Sequence, residues 1–243
     1  MRPGIGARQG GFGAERGTRE LELKRLIAIY DLDGTLLKHA TFTPFLLFAA
    51  RRHAPWKLAL VPIWIGAMIA YKAGLFSREA LKSFGLKLLV GRIDQPGLDE
   101  LAVAFADKIL PGWIGNGAQI ALSRDRGEGR LLILATAAME FYAGEIARRI
   151  GFDHVIATRH ADPRGAFCQI EGGNCYGDAK VPRVEALLAS IGLSRSDCDV
   201  RFYTDSTSDA PLLDWSDEPV LVDAGARGRG MAKARGWALT RFA

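Results

Sequence analysis

The chain has 243 residues, 49% of them hydrophobic and 24% charged, which reads as a globular chain of one domain or a domain carrying a large insert. Its formal charge of +5 and pI near 9.2 suit an anionic partner, without separating nucleic acid, membrane surface and phosphorylated substrate. Cys168, Cys175 and Cys198 show no CxxC spacing, which argues against a disulfide framework or a zinc site and for small buried or surface thiols in a reducing compartment.

The Gly- and Arg-rich start lacks the apolar core of a secretory signal, and residues 1–24 are expected to form a disordered tail. The first strand is predicted at Arg25–Tyr30 (RLIAIY) and ends in two carboxylates, Asp31 and Asp33, followed by Gly34 and Thr35. From Thr43 to about Leu110 come helical runs interrupted by Pro55, Pro62, Gly74 and Gly91. The gap before the next strand is far longer than one crossover helix needs, so residues 43–111 are assigned to an inserted helical cap. Within it, residues 58–71 (LALVPIWIGAMIAY) read as one helix of about 21 Å. That is too short to span a hydrocarbon core of about 30 Å. From Gly34 to Arg78 there is no Asp or Glu, so residues 56–72 suit either a cap core helix or contact with an anionic membrane interface. His39 and His53 read as surface residues.

Strands are then predicted at Leu131–Ala135, His154–Ala157, Val200–Tyr203 and Val220–Val222. Helices are predicted at Ala138–Ile150, Lys180–Ile191 and Gly228–Arg235, closed by Gly151, Gly192 and Gly236, with a hairpin or loop at Thr158–Tyr176 and an edge strand in Trp237–Phe242. This alternation predicts an α/β fold: a doubly wound, Rossmann-like parallel sheet in residues 25–42 and 112–243, with the helical cap inserted. No repeat of about 20 to 50 residues suggests a solenoid. The basic cluster Arg227, Arg229, Lys233 and Arg235 reads as a solvated helix face, not a nucleic-acid site.

Residues i and i+2 of an extended segment share a side, so Asp31 and Asp33 are expected to face one centre at the carboxyl end of the first strand. Thr136, Asp205 and Asp209 follow other strands, and Lys180 opens a helix. These residue types suit phosphoryl transfer to a carboxylate. Asp31 would be the nucleophile, and Asp33 the general acid and base beside it. Mg²⁺ would rest on Asp31 and Asp205, while Thr136, Lys180 and the N–H groups of the Gly34–Thr35 turn would bind phosphoryl oxygens. A calcium loop is disfavoured because DLDGTLL lacks the series of oxygen ligands ending in Glu.

YDLDGTLL, LLILATAA, Lys180 in NCYGDAKVPRV and YTDSTSDAPLL, in this order, resemble the four motifs of the haloacid dehalogenase superfamily of phosphatases. The resemblance implies Asp31 as nucleophile, Asp33 as acid/base, Thr136 and Lys180 as phosphate ligands, and Mg²⁺ held by Asp31, the backbone carbonyl of Asp33 and Asp205, with Asp209 in support. A helical insert after the first motif is similar to the phosphoserine phosphatase branch, but Ala40 stands where amino-acid phosphatases of that branch carry a glutamate. The basic, apolar insert with TFTPFLLFAARR resembles the bacterial phosphatidylglycerophosphatase C type. This implies a phospholipid headgroup phosphate as substrate and a cytoplasmic enzyme at the inner face of the membrane. A soluble phosphatase acting on phosphoserine or another small metabolite, and a non-catalytic regulatory protein of the same fold, are the alternatives.

Overall fold

The computed structural model describes residues 24–161 and 169–242. The expected N-terminal tail and Cys168 lie outside the described residues, as does the middle of the insertion expected at 158–176.

Seven strands form one sheet in the order β4-β3-β2-β1-β5-β6-β7. They are β1 (Arg25–Tyr30), β2 (Leu131–Met139), β3 (His154–Ala161), β4 (Gln169–Glu171), β5 (Cys198–Thr204), β6 (Glu218–Val222) and β7 (Ala238–Thr240). All pairings are parallel except β3 with β4, which run antiparallel with Arg159 opposite Glu171. The fold expected from the alternation of strands and helices is therefore present. β1 sits at the centre, Ile29 opposite Ile133 of β2 on one side and Phe202 of β5 on the other.

The apolar run of β1 is buried on both faces because successive side chains point to opposite sides. Ala28 and Tyr30 join one core cluster, and Ile27 and Ile29 join the other. On the Ile27 side lie α7 (Lys180–Ser190), α8 (Ala210–Trp215) and α9 (Ala226–Arg235). On the Tyr30 side lie α5 (Asn116–Gly127), α6 (Glu140–Ile150) and the helices between β1 and β2. Those helices are α1 (Phe42–His53), α2 (Val61–Lys72), α3 (Arg78–Gly85) and α4 (Gln95–Trp113). Phe45 of α1 stacks on Tyr142 of α6 at 5.0 Å between centroids, so the inserted helices share the core of the sheet.

Three sequence expectations need correction, the simplest being β3, which runs four residues past its expected end at Ala157. Residues 58–71 are not one helix: a 3-10 turn covers Pro55–Leu60, and α2 starts at Val61. Pro62 lacks the N–H that a continuous helix would use there and occupies the first turn instead. The second strand also outlasts its expected end at Ala135 by four residues, with an irregular register that pairs Met139 with Thr158. Its helix then begins at Glu140, not Ala138. Elsewhere the punctuation behaves as read: Gly151 and Gly236 close α6 and α9 in the left-handed conformation.

Candidate active site

β1 delivers Asp31 to the carboxyl edge of the sheet, between its two parallel neighbours, where strand order reverses and open sheets form ligand crevices. Asp31, Asp33, Thr136, Lys180, Asp205 and Asp209 all line one cavity of about 200 Å³ there, together with Arg78 and Tyr176. Residues separated by more than 170 positions are thus brought together by three strand ends and one helix start.

Lys180, the first residue of α7, is 1% exposed, and its ammonium donates to Asp31 Oδ1 at 2.8 Å and Asp209 Oδ2 at 2.7 Å. Thr204 Oγ1 donates to the same Asp209 oxygen at 2.8 Å. Asp209 Oδ1 is buried without a partner. Asp33 Oδ1 accepts the backbone N–H of Thr41 at 2.9 Å, which fixes the second carboxylate beside the first. Thr136 Oγ1 accepts the N–H of Ala138 at 3.0 Å in the irregular end of β2.

Gly34 and Thr35 hold Asp205. Thr35 Oγ1 donates to Asp205 Oδ1 at 3.1 Å and accepts its backbone N–H at 2.9 Å. Gly34 has φ +78°, and a Cβ there would stand 2.4 Å from Asp205 Oδ2. Its N–H, expected to face a phosphoryl group, donates instead to Leu37 O at 2.8 Å within the turn. The contribution of Gly34 to this site is therefore space, not a hydrogen bond.

Burial raises the Asp31 carboxyl above the usual range, overriding the Lys180 ammonium, and the nearby charge of Asp209 adds to the rise. Burial also works against the Lys180 ammonium, but Asp31 and Asp209 outweigh it and hold the group charged above the ordinary lysine range. Asp33 is pushed up to about 6 by burial, against the hydrogen bonds of Thr41. A carboxyl poised there exchanges its proton near neutral pH, as general acid–base work requires.

No group of three or more His, Cys, Asp or Glu side chains among the described residues is arranged to hold a metal. Mg²⁺, however, needs only one or two carboxylates, with waters completing its oxygen shell. Asp31 and Asp205, which line one cavity, and the unpartnered Asp209 oxygen fit that requirement.

The residue pattern did not single out three neighbours of the site. Arg78 and Tyr176 line it, and Lys82, buried in α3, donates to Ala137 O and to Asn174 Oδ1. Arg78 was visible only as one of several cations in an acid-free stretch.

A family model of the haloacid dehalogenase-like hydrolases matches residues 28–214, which takes in the end of β1 with Asp31, the inserted helices, Lys180 and Asp209. The chain belongs to this family. Among its relatives, a probable phosphatase of Mycobacterium tuberculosis is 32% identical over 114 residues. That match covers 47% of this chain and 39% of that protein, so the chain spans well under half of its relative's length. A phosphoserine phosphatase of the same organism is 26% identical over 219 residues, covering 88% of this chain and 70% of the relative. A crystal structure of a Bordetella pertussis protein of unknown function superposes with a TM-score of 0.79 at 29% identity, covering 89% of this chain and 98% of the other.

Proposed function

We propose that this hydrolase is an Mg²⁺-dependent phosphomonoesterase that works through an aspartyl-phosphate on Asp31. The observation that carries the reading is the placement of Asp31 Oδ1 2.8 Å from the Lys180 ammonium, in one cavity with Asp33, Thr136 and Asp205. Lys180 orients one oxygen of Asp31, and the other attacks phosphorus as the bond to the leaving oxygen breaks. Protonated Asp33 delivers its proton to that oxygen. It then takes a proton from water, which attacks the phosphoryl group and releases inorganic phosphate and free Asp31. The Thr136 hydroxyl and the Lys180 ammonium offset charge on the phosphoryl oxygens. Mg²⁺, held by Asp31, the Asp33 carbonyl and Asp205, would supply the charge neutralisation that lets two anions approach. Asp209 supports the site by holding Lys180.

The preferred substrate is a phospholipid headgroup phosphate such as that of phosphatidylglycerophosphate, met at the cytoplasmic face of an anionic membrane. Support comes from α2, an apolar helix that fully buries only Trp64. Trp56 is 69% exposed, Ile69 64% and Leu75 73%, in the stretch without acidic residues. No helix among the described residues is long and apolar enough to cross a membrane, so contact would be through this face lying on the interface. The similarity to a phosphoserine phosphatase favours a second reading, a small soluble phosphomonoester.

The test is phosphate release with Mg²⁺ from phosphatidylglycerophosphate in mixed micelles, phosphoserine and an aryl phosphate, with Asp31→Asn as the blank. The lipid is expected to turn over fastest and Asp31→Asn to release nothing. Preference for phosphoserine would select the second reading, and full activity of Asp31→Asn would refute the nucleophile.

A further inference from the structure

The catalytic cavity, at about 200 Å³, falls below the range of roughly 300–1,000 Å³ usual for small-molecule sites. It has room for a phosphoryl group and little else. Beside it lies an outer groove of about 720 Å³ lined by α3 and the segment after β4. Arg78 and Tyr176 line both spaces, so the leaving group of a substrate seated at Asp31 passes beside this pair on its way from the cavity to the groove.

The guanidinium of Arg78 lies over the Tyr176 ring, 3.7 Å from its centroid. Among the described residues no carboxylate pairs with Arg78, and no hydrogen bond engages its guanidinium. Of the other charges lining the outer groove, Asp178 is exposed and unpaired among the described residues, whereas Glu79 and Arg183, like the neighbouring Lys82, are committed. Glu79 accepts the N–H of Asn174 at 2.9 Å, and Lys82 binds Ala137 O and Asn174 Oδ1. Arg183, across the outer groove, donates to Gly172 O at 2.7 Å and Gly173 O at 2.8 Å. The contacts of Glu79 and Lys82 also anchor α3 on the sheet, so Arg78 is held at the mouth instead of swinging with a loose side chain.

A guanidinium fixed by stacking keeps its N–H edge for a carboxylate or phosphate oxyanion, which it binds through two parallel hydrogen bonds. We propose that Arg78, positioned by Tyr176, reads a second anionic group carried by the leaving group of the substrate, a carboxylate or a phosphodiester, at the exit of the catalytic cavity. This inference rests on the phosphatase reading and makes Arg78 a specificity determinant within it.

The experiment compares kcat/KM, with Mg²⁺, for three soluble esters. Glycerophosphoglycerophosphate carries a second anion as a phosphodiester, phosphoserine carries one as a carboxylate, and glycerol 3-phosphate carries none. The wild-type enzyme is expected to prefer one or both of the first two. Arg78→Ala should lower the ratio of that ester to glycerol 3-phosphate by about 10- to 100-fold, mainly through KM, as loss of a charged hydrogen-bonded contact predicts. Arg78→Lys, which keeps the charge without the fork, should recover part of the ratio. The ester whose ratio falls identifies the anion that Arg78 reads. A ratio within about twofold of wild type in Arg78→Ala, whether total activity is kept or lost, overturns the inference alone. Absence of hydrolysis of every ester by the wild-type enzyme overturns both the inference and the phosphatase reading.

Discussion

Gly34 and Asp205 lie so close that a single added methyl group would meet the Asp205 carboxylate at 2.4 Å. The two residues sit on different strand ends, tied through Thr35, and the space between them belongs to the carboxylate. Gly34→Ala therefore imposes two costs: about 1–2 kcal/mol for a non-glycine residue at φ +78°, and displacement of Asp205. A shift of about 1 Å in such a site lowers turnover by about 100-fold. Phosphatase assays paired with urea unfolding should show an activity loss far larger than the stability loss accounts for. Wild-type kcat/KM in Gly34→Ala would mean that the position of Asp205 does not matter.

Away from the cavity, Asp125 anchors the other side of the central strands. Its carboxylate is fully buried and accepts Tyr30 Oη at 2.5 Å and Arg201 Nη1 at 2.5 Å, one partner from β1 and one from β5. Removing it leaves the Arg201 guanidinium with only Glu128 and Glu218, both partly exposed, and leaves the Tyr30 hydroxyl without its acceptor. Breaking a buried pair by deleting one member costs about 3–5 kcal/mol. Asp125→Ala is expected to lower the free energy of unfolding by that amount in urea titration. A loss below about 1 kcal/mol would show that the exposed glutamates suffice.

The exposed face of α2 yields a prediction that separates membrane contact from ordinary surface. Ile65 and Ile69 stand in solvent, so replacing both by glutamate should leave folding stability within about 0.5 kcal/mol per site. Each isoleucine buried in a lipid interface would contribute about 1.5–3 kcal/mol. Co-sedimentation with anionic vesicles should therefore fall by more than tenfold in Ile65→Glu/Ile69→Glu, and neutral vesicles should bind the wild type more weakly than anionic ones. Equal sedimentation of wild type and variant would remove this face from the lipid reading.

The sequence disclosed what local chemistry determines. β1 has the expected bounds because its apolar run stops abruptly at Asp31, and Lys180 starts its helix as its position before an amphipathic run implied. β2 was read short because Ala137 and Ala138 are good helix formers, whereas pairing of Met139 with Thr158 keeps the backbone extended. The occupied N–H of Gly34 was not legible either, since it depends on how the turn folds back onto Leu37. Arg78, Lys82 and Tyr176 escaped for a different reason. Arg78 and Tyr176 line the cavity, and Lys82 lies beside it, only because α3 docks on a segment some ninety residues later in the chain, and no spacing along the chain records that contact.

That docking contact makes a prediction about pH. Lys82 is buried, and its pKa is lowered to about 8, first by burial and then by the positive charge of Arg78, with Asp33, Glu79 and Cys175 pulling the other way. The unfolded lysine titrates near 10.4. Between these values the unfolded chain holds a proton that the folded chain has released, so this residue makes stability rise with pH. Its penalty is fully present below pH 8 and disappears above about 10.5. From pH 7.5 to 10, the unfolding free energy of the wild type should gain about 2–3 kcal/mol relative to Lys82→Met, which lacks the titrating group. Urea titrations of both proteins at the two pH values measure that difference directly, with contributions from the tyrosines common to both. Parallel pH profiles would mean that Lys82 keeps an ordinary pKa, and that α3 does not close over it in solution as it does in the fold.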